Sequence, residues 1–134
     1  MKTSENSNLT QWEKRVLLFK NIYSQLIREE PIDIAKEKFT KSFLKIDAQF
    51  IAVFEYFLDH QKEIAQVISN NIPSDWAFDR LNLVDQAILF EAYSEYKVLH
   101  TDKAVVIDQA IISSKKYSDF KSPEFINAIL DKIL

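Results

Sequence analysis

The side chains able to do chemistry in this chain are cations set beside rings and amides. Lys14 and Arg15 open an early apolar segment that also carries Tyr23. Near the C-terminus come Lys115-Lys116-Tyr117, then Lys121, Phe125 and Asn127. Residues of these types can hold an unpaired nucleic-acid strand: cations meet phosphates, rings stack on bases and amides read base edges. The same residues read equally as lysines solvating a surface and aromatics filling a core.

Catalytic and metal chemistry have less to work with. With no Cys there is no disulfide, thiolate ligand or thiol nucleophile. His60 and His100 stand apart with no acid cluster beside either, and read as surface or helix-end residues rather than ligands. Asp79 with Asp85, or Asp108 with Glu91, could form an acid pair, but no nucleophile accompanies them. The chain also lacks Gly, which removes phosphate-cradling Gly loops and dinucleotide fingerprints. We therefore expect no enzyme activity and no cofactor.

The elements that must position these residues are helices. The 134 residues are 47% hydrophobic, enough for one compact domain with a core. Tight hairpins usually need Gly for positive φ, so a multi-stranded sheet is not expected. Apolar runs are short and broken by charges, and Met1 to Asn8 is a polar tail without an apolar signal core. A cytoplasmic protein without a membrane span is expected. The net charge of -3 argues mildly against a large nucleic-acid surface, although a local patch can still act within a screening length of roughly 8 Å.

Thr10 followed by Glu13 fits a capping box. Val16, Phe19, Tyr23, Leu26 and Ile27 then recur at helical spacing to Arg28, and Pro31 marks a break. A second helix is expected over Ile34 to Phe43, with Lys36, Lys38 and Lys41 outward. Asp47 is placed to cap a third, with Phe50, Val53, Phe54, Phe57, Leu58, Ile64, Val67 and Ile68 on its apolar face. Asn70 to Asp75 reads as a loop. Asn82 caps a fourth helix with Val84, Ala87, Ile88 and Glu91-Ala92 as its stripe. Lys103 to Tyr117 makes a fifth, with Val106, Ile107, Ala110, Ile111 and Ser114 inward. Ser122 as cap and Pro123 at the first helical position begin the last, which buries Ile126, Ile129, Leu130 and Ile133. Ile88, Leu89, Ile107, Ile126 and Leu130 are expected to be buried. The result is an all-α, single compact bundle of six or seven helices over residues 1–134.

One stretch adds more. Trp76-Ala77-Phe78-Asp79-Arg80-Leu81 is followed by Val84-Asp85-Gln86-Ala87-Ile88-Leu89 and Glu95. Then come Ile107-Asp108-Gln109-Ala110-Ile111, Lys115-Lys116-Tyr117 and Phe125-Ile126-Asn127-Ala128-Ile129-Leu130-Asp131. This order and spacing resemble the transcription antitermination factor NusB family, best over residues 76–134. The family's final helix commonly reads Phe-Val-Asn-Gly-Val-Leu-Asp, so Ala128 replaces a Gly here. Its Ile-Asn-Glu-Ala becomes Ile107-Asp108-Gln109-Ala110. Phe90 stands where the family typically carries Arg, which leaves Glu95 expected to lack that partner. Of the family's Arg-rich first run, only Lys14 and Arg15 stay basic.

The resemblance implies a helical protein that binds boxA-type single-stranded RNA together with NusE, the ribosomal protein of that second name. The pair would sit near RNA polymerase and suppress premature termination. On this reading Lys14, Arg15, Tyr23, Lys115, Lys116, Tyr117, Lys121, Phe125 and Asn127 form the RNA surface. Asp85 faces the protein partner, Glu95 is structural and Trp76 anchors its loop. The alternative is an interaction module of the same fold that has lost RNA binding and self-associates as a homodimer. A third reading is a free-standing relative of the domain fused to RNA cytosine methyltransferases.

Overall fold

The structure is a computed structural model that describes residues 8–72 and 81–134. Among the described residues it contains six helices: α1 Gln11–Arg28, α2 Ile32–Phe43, α3 Gln49–Ser69, α4 Leu83–Leu99, α5 Lys103–Tyr117 and α6 Ser122–Ile133. No strand occurs among them, as the absence of Gly led us to expect. The N-terminal tail (all but Asn8), Trp76 and Asp79 fall outside the described residues.

Local signals set most of the helix ends. At α1 the Thr10 hydroxyl accepts from the Glu13 N–H at 3.0 Å, and the Glu13 carboxylate accepts from the Thr10 N–H at 2.8 Å. Two otherwise orphaned donors are thereby satisfied. Asn82 caps α4, accepting from the Asp85 N–H at 2.8 Å. Two caps differ from expectation. Ala48, not Asp47, is the N-cap of α3, although Asp47 still accepts from the Gln49 N–H at 3.2 Å. At α6 the N-cap is Lys121, because the Ser122 hydroxyl is drawn to a carboxylate elsewhere. Helices α1 and α4 end on Glu29 and His100, both in left-handed backbone with φ of 51° and 56°.

The architecture is organised around α4. Every residue from Asp85 to Glu95 is buried, so α4 has no solvent face over that span. It packs against α1, α3, α5 and α6, while α2 lies on α3. Such all-round burial is the signature of a central helix rather than an amphipathic surface one. Stacked rings fill the α2–α3 side: Phe39 lies 4.2 Å from both Phe43 and Phe54, and Phe57 meets Phe90 of α4 edge-on at 5.0 Å. Phe90 thus fills the core.

The core residues differ from expectation at several places: Val67, Val84 and Ile133, expected on buried faces, are half-buried. On α1, Leu18 and Ile22 are fully buried with Val16 and Phe19, whereas Ile27 is exposed. On α5, Val106, Ala110, Ser113 and Ser114 face inward. Ile107 and Ile111 are half-buried on the border towards α6 rather than buried. Ile88, Leu89, Ile126 and Leu130 are buried as expected. No described helix is long and apolar enough to cross a membrane.

Candidate nucleic-acid interface

Helices α1 and α5 meet over α4, and charged side chains occur on both sides of the contact. The inner side is built on Arg15. Its guanidinium donates Nε to Glu95 Oε1 at 2.9 Å and Nη2 to Glu95 Oε2 at 2.8 Å. A third bond runs from Nη1 to Gln109 Oε1 of α5 at 2.9 Å. Arg15 is 9% exposed and Glu95 1%. The planar fork of Arg suits such a two-pronged grip on a carboxylate.

Burial works to raise the Glu95 carboxyl, but bonds from Arg15, Glu91 and Thr101 outweigh it and hold it below its ordinary value. Burial likewise works to lower Arg15, and Glu95 more than compensates. Glu91, one turn before Glu95, is pushed well above the usual carboxylate range, first by burial and then by the Glu95 charge. The cluster thus sets one cation against two acids, Glu95 held low and Glu91 pushed up. Glu95 does have an Arg partner; it comes from α1 rather than from position 90. Arg15 is correspondingly turned inside and does not reach the surface expected of it.

Lys14 lies on the opposite flank of α1. Its ammonium pairs with Asp47 at 3.2 Å, both side chains being 12% exposed. It therefore faces the α2–α3 junction, away from α5.

The outer side of the α1–α5 contact carries a different set. Lys116 Nζ stands 5.4 Å over the Trp12 ring and 5.6 Å over Tyr117. Lys20, a cation that sequence reasoning missed, stands 4.9 Å over Tyr117. Trp12 donates its indole N–H to Ser113 at 3.1 Å, and Tyr117 meets Phe19 edge-on at 5.6 Å. The rings are thus fixed by the bundle and carry the ammonium groups above them. Tyr23, one turn beyond Phe19, is half-buried against the core.

Lys115 points about 100° round the helix from Lys116. It lines a depression with Phe120, Lys121, Pro123 and Phe125 at the α5–α6 junction. Phe125 is half-buried and packed on the core. Asn127 is exposed and lies about 200° round α6 from Phe125, across the buried stripe, so the two do not share a face. Among the described residues, none of Lys20, Lys115, Lys116 and Lys121 is in an ion pair with a carboxylate.

Asp85 is 5% exposed, and both of its oxygens are occupied. Ser118 donates to Oδ1 at 2.7 Å and Ser122 to Oδ2 at 2.9 Å. Burial raises its carboxyl, the two hydroxyls oppose that, and the nearby Asp119 charge adds to it. The carboxylate thereby ties down the α5–α6 loop.

Comparison with known proteins bears on the family and the fold. The NusB family model matches residues 13–134. A transcription antitermination protein NusB of Borrelia garinii subsp. bavariensis is 31% identical over 130 residues, covering 91% of this chain and 92% of that relative. One from Syntrophomonas wolfei is 47% identical over 78 residues; the match spans only 58% of either chain. Among solved structures, T. maritima NusB superposes with a TM-score of 0.77 at 26% identity, over 93% of this chain and 90% of that one.

Proposed function

The chain belongs to the NusB family, and from that membership we propose that it is a transcription antitermination factor. On this reading it binds boxA-type single-stranded RNA jointly with NusE, in the cytoplasm and close to RNA polymerase. Its mechanism is assembly rather than catalysis. One observation supports the RNA half most directly. Lys20, Lys115, Lys116 and Lys121 gather around the end of α5 without carboxylate partners among the described residues, beside the rings of Trp12, Tyr117 and Phe125. Ammonium groups so placed keep their donors for phosphates.

The cation set is small and the whole chain carries a charge of -3. RNA affinity of the isolated chain is therefore expected to be weak. A second protein holding the same RNA adds contacts and raises effective concentration. The test is RNA binding with and without NusE over a salt series. Weak binding alone, tighter binding with NusE, and a log–log salt slope of about -0.7 per phosphate held would support the proposal. A chain that takes up neither RNA nor NusE at low salt would sink it.

A self-associating interaction module is the second reading. It is favoured by Val105 and Ile112, two exposed apolar residues on the flank of α5 beside Lys116. Sedimentation over a concentration range separates the two readings.

A further inference from the structure

One ring stands apart from the bundle. Phe120 is 96% exposed, while every other described phenylalanine is buried or half-buried. It occupies the tip of the short α5–α6 connection, and that connection is held firmly at both ends. Ser118 before the ring and Ser122 after it both donate to the buried Asp85, and their hydroxyls lie 3.0 Å apart. Asp119 accepts from the Asn82 side chain at 3.1 Å, and its carbonyl accepts from the Ser122 N–H at 3.0 Å. Three elements thus converge to hold two residues, Phe120 and Lys121, out into water. The backbone that carries the ring is thus already ordered before it meets a flat ligand.

The surroundings select the ligand. Lys115 and Lys121 share the depression with the ring, and Pro123 and Phe125 form its apolar floor. Of the two acids present, Asp119 is already bonded to Asn82, and Glu124 sits in the first turn of α6. A protein hot spot is usually a water-excluding patch with an apolar centre. Here two cations flank the apolar floor and the Phe120 ring projects above it, which suits a π-face joined to a charged backbone, the make-up of a nucleotide.

We propose that Phe120 is a stacking platform for one unpaired base of single-stranded RNA, with the Lys115 and Lys121 ammonium groups taking phosphates beside it. The proposal rests on the RNA-binding reading above, and it adds a contact that the family resemblance did not assign. Asp85 acquires a purpose from it: the buried carboxylate holds the backbone on both sides of the ring without touching RNA.

The experiment compares wild type, Phe120→Ala, Phe120→Trp and Lys121→Ala, each with one single-stranded RNA oligonucleotide, alone at low salt and with NusE. Phe120→Ala is expected to weaken RNA binding about 5- to 150-fold, the span typical of removing one base–aromatic stack. Its salt slope and melting temperature should match wild type, since the ring is uncharged and supports no core. Phe120→Trp should keep the affinity, and RNA should quench emission beyond what it does to wild type. Lys121→Ala should flatten the salt slope by about 0.7. If wild type binds RNA and Phe120→Ala binds it equally well, the platform is refuted while the RNA reading stands. If Phe120→Ala loses NusE or self-association with RNA affinity intact, the ring serves a protein partner and the proposal falls. If wild type binds no RNA under any of these conditions, both readings fall together.

Discussion

Arg15 and Lys116 approach the α1–α5 contact from opposite sides, and the bundle treats their charges in opposite ways. Arg15 is sealed against Glu95 and Gln109, with the Glu91 carboxyl pushed up by burial behind it. Lys116 and Lys20 stay in water above the rings of Trp12 and Tyr117. The difference follows from the groups themselves. A guanidinium is weakly hydrated and can exchange water for a planar carboxylate. An ammonium is strongly hydrated, and resting over a ring at a wet site gains only about 0.5–1 kcal/mol. The first region converts charge into a fixed helix arrangement; the second keeps charge available for a ligand.

The sharpest way to break this contrast is Arg15→Ala. Glu95 would be left as a buried anion without its cation, a change that typically costs about 3–5 kcal/mol. Denaturant unfolding should show a loss of that order. A loss under about 0.5 kcal/mol, the range of ordinary surface sites, would place Arg15 on the surface after all and merge the two regions.

A smaller effect sharpens the account of Glu91. Its folded carboxyl titrates above the unfolded value of about 4.3, so between the two values the folded state binds the proton more strongly. Stability linked to Glu91 is therefore full below pH ~4 and declines as pH rises towards the folded value. Glu91→Gln removes that decline while keeping a donor for Glu95. The variant's melting temperature should gain on wild type as pH rises from about 4 to 8. Glu95, held low, acts in the other direction and costs stability only as pH falls through its folded value. Parallel pH curves for variant and wild type would show that Glu91 is ionised in the fold.

The least effect on stability is expected on the outer side. Lys20→Ala with Lys116→Ala should change unfolding free energy by no more than about 0.5 kcal/mol each. RNA binding should nevertheless weaken for all sequences alike, with the salt slope reduced by about 0.7 for each phosphate no longer neutralised. Loss of folding without loss of salt dependence would reverse the two regions' roles.

Much of the fold was legible because its signals are local. The Thr10–Glu13 box and the Asn82 cap act within one turn, and their spacing alone announces them. The faces of α1 and α5 were less so: apolar residues occur on more than one side of each, and only the neighbouring helices decide which side is buried. Leu18 and Ile22 therefore join the core while Leu26 is only half-buried against it, Ile27 is exposed and Ile107 lies at its border. The site was harder still. Arg15 meets Glu95 80 residues away, and Asp85 meets Ser118 and Ser122 33 and 37 residues away. No periodicity within a helix reveals such partners, so both charges read as surface groups. Lys20 and Phe120 left a fainter trace. Lys20 is one turn past Val16 on the flank facing α5, and Phe120 is a ring lodged in a polar connection between two helices.

The left-handed ends of α1 and α4 have a consequence for the chain before it folds. Glu29 and His100 hold a backbone shape that costs a side-chain-bearing residue roughly 1–2 kcal/mol. Gly would take that shape freely, but this chain contains none. Every residue in the denatured coil consequently carries a β-carbon that narrows the conformations open to it, and a Gly would give back about 0.5–1 kcal/mol of that freedom at each position. Two strained bends are thus the local counterpart of a coil that is stiff throughout and has less disorder to surrender when the helices form.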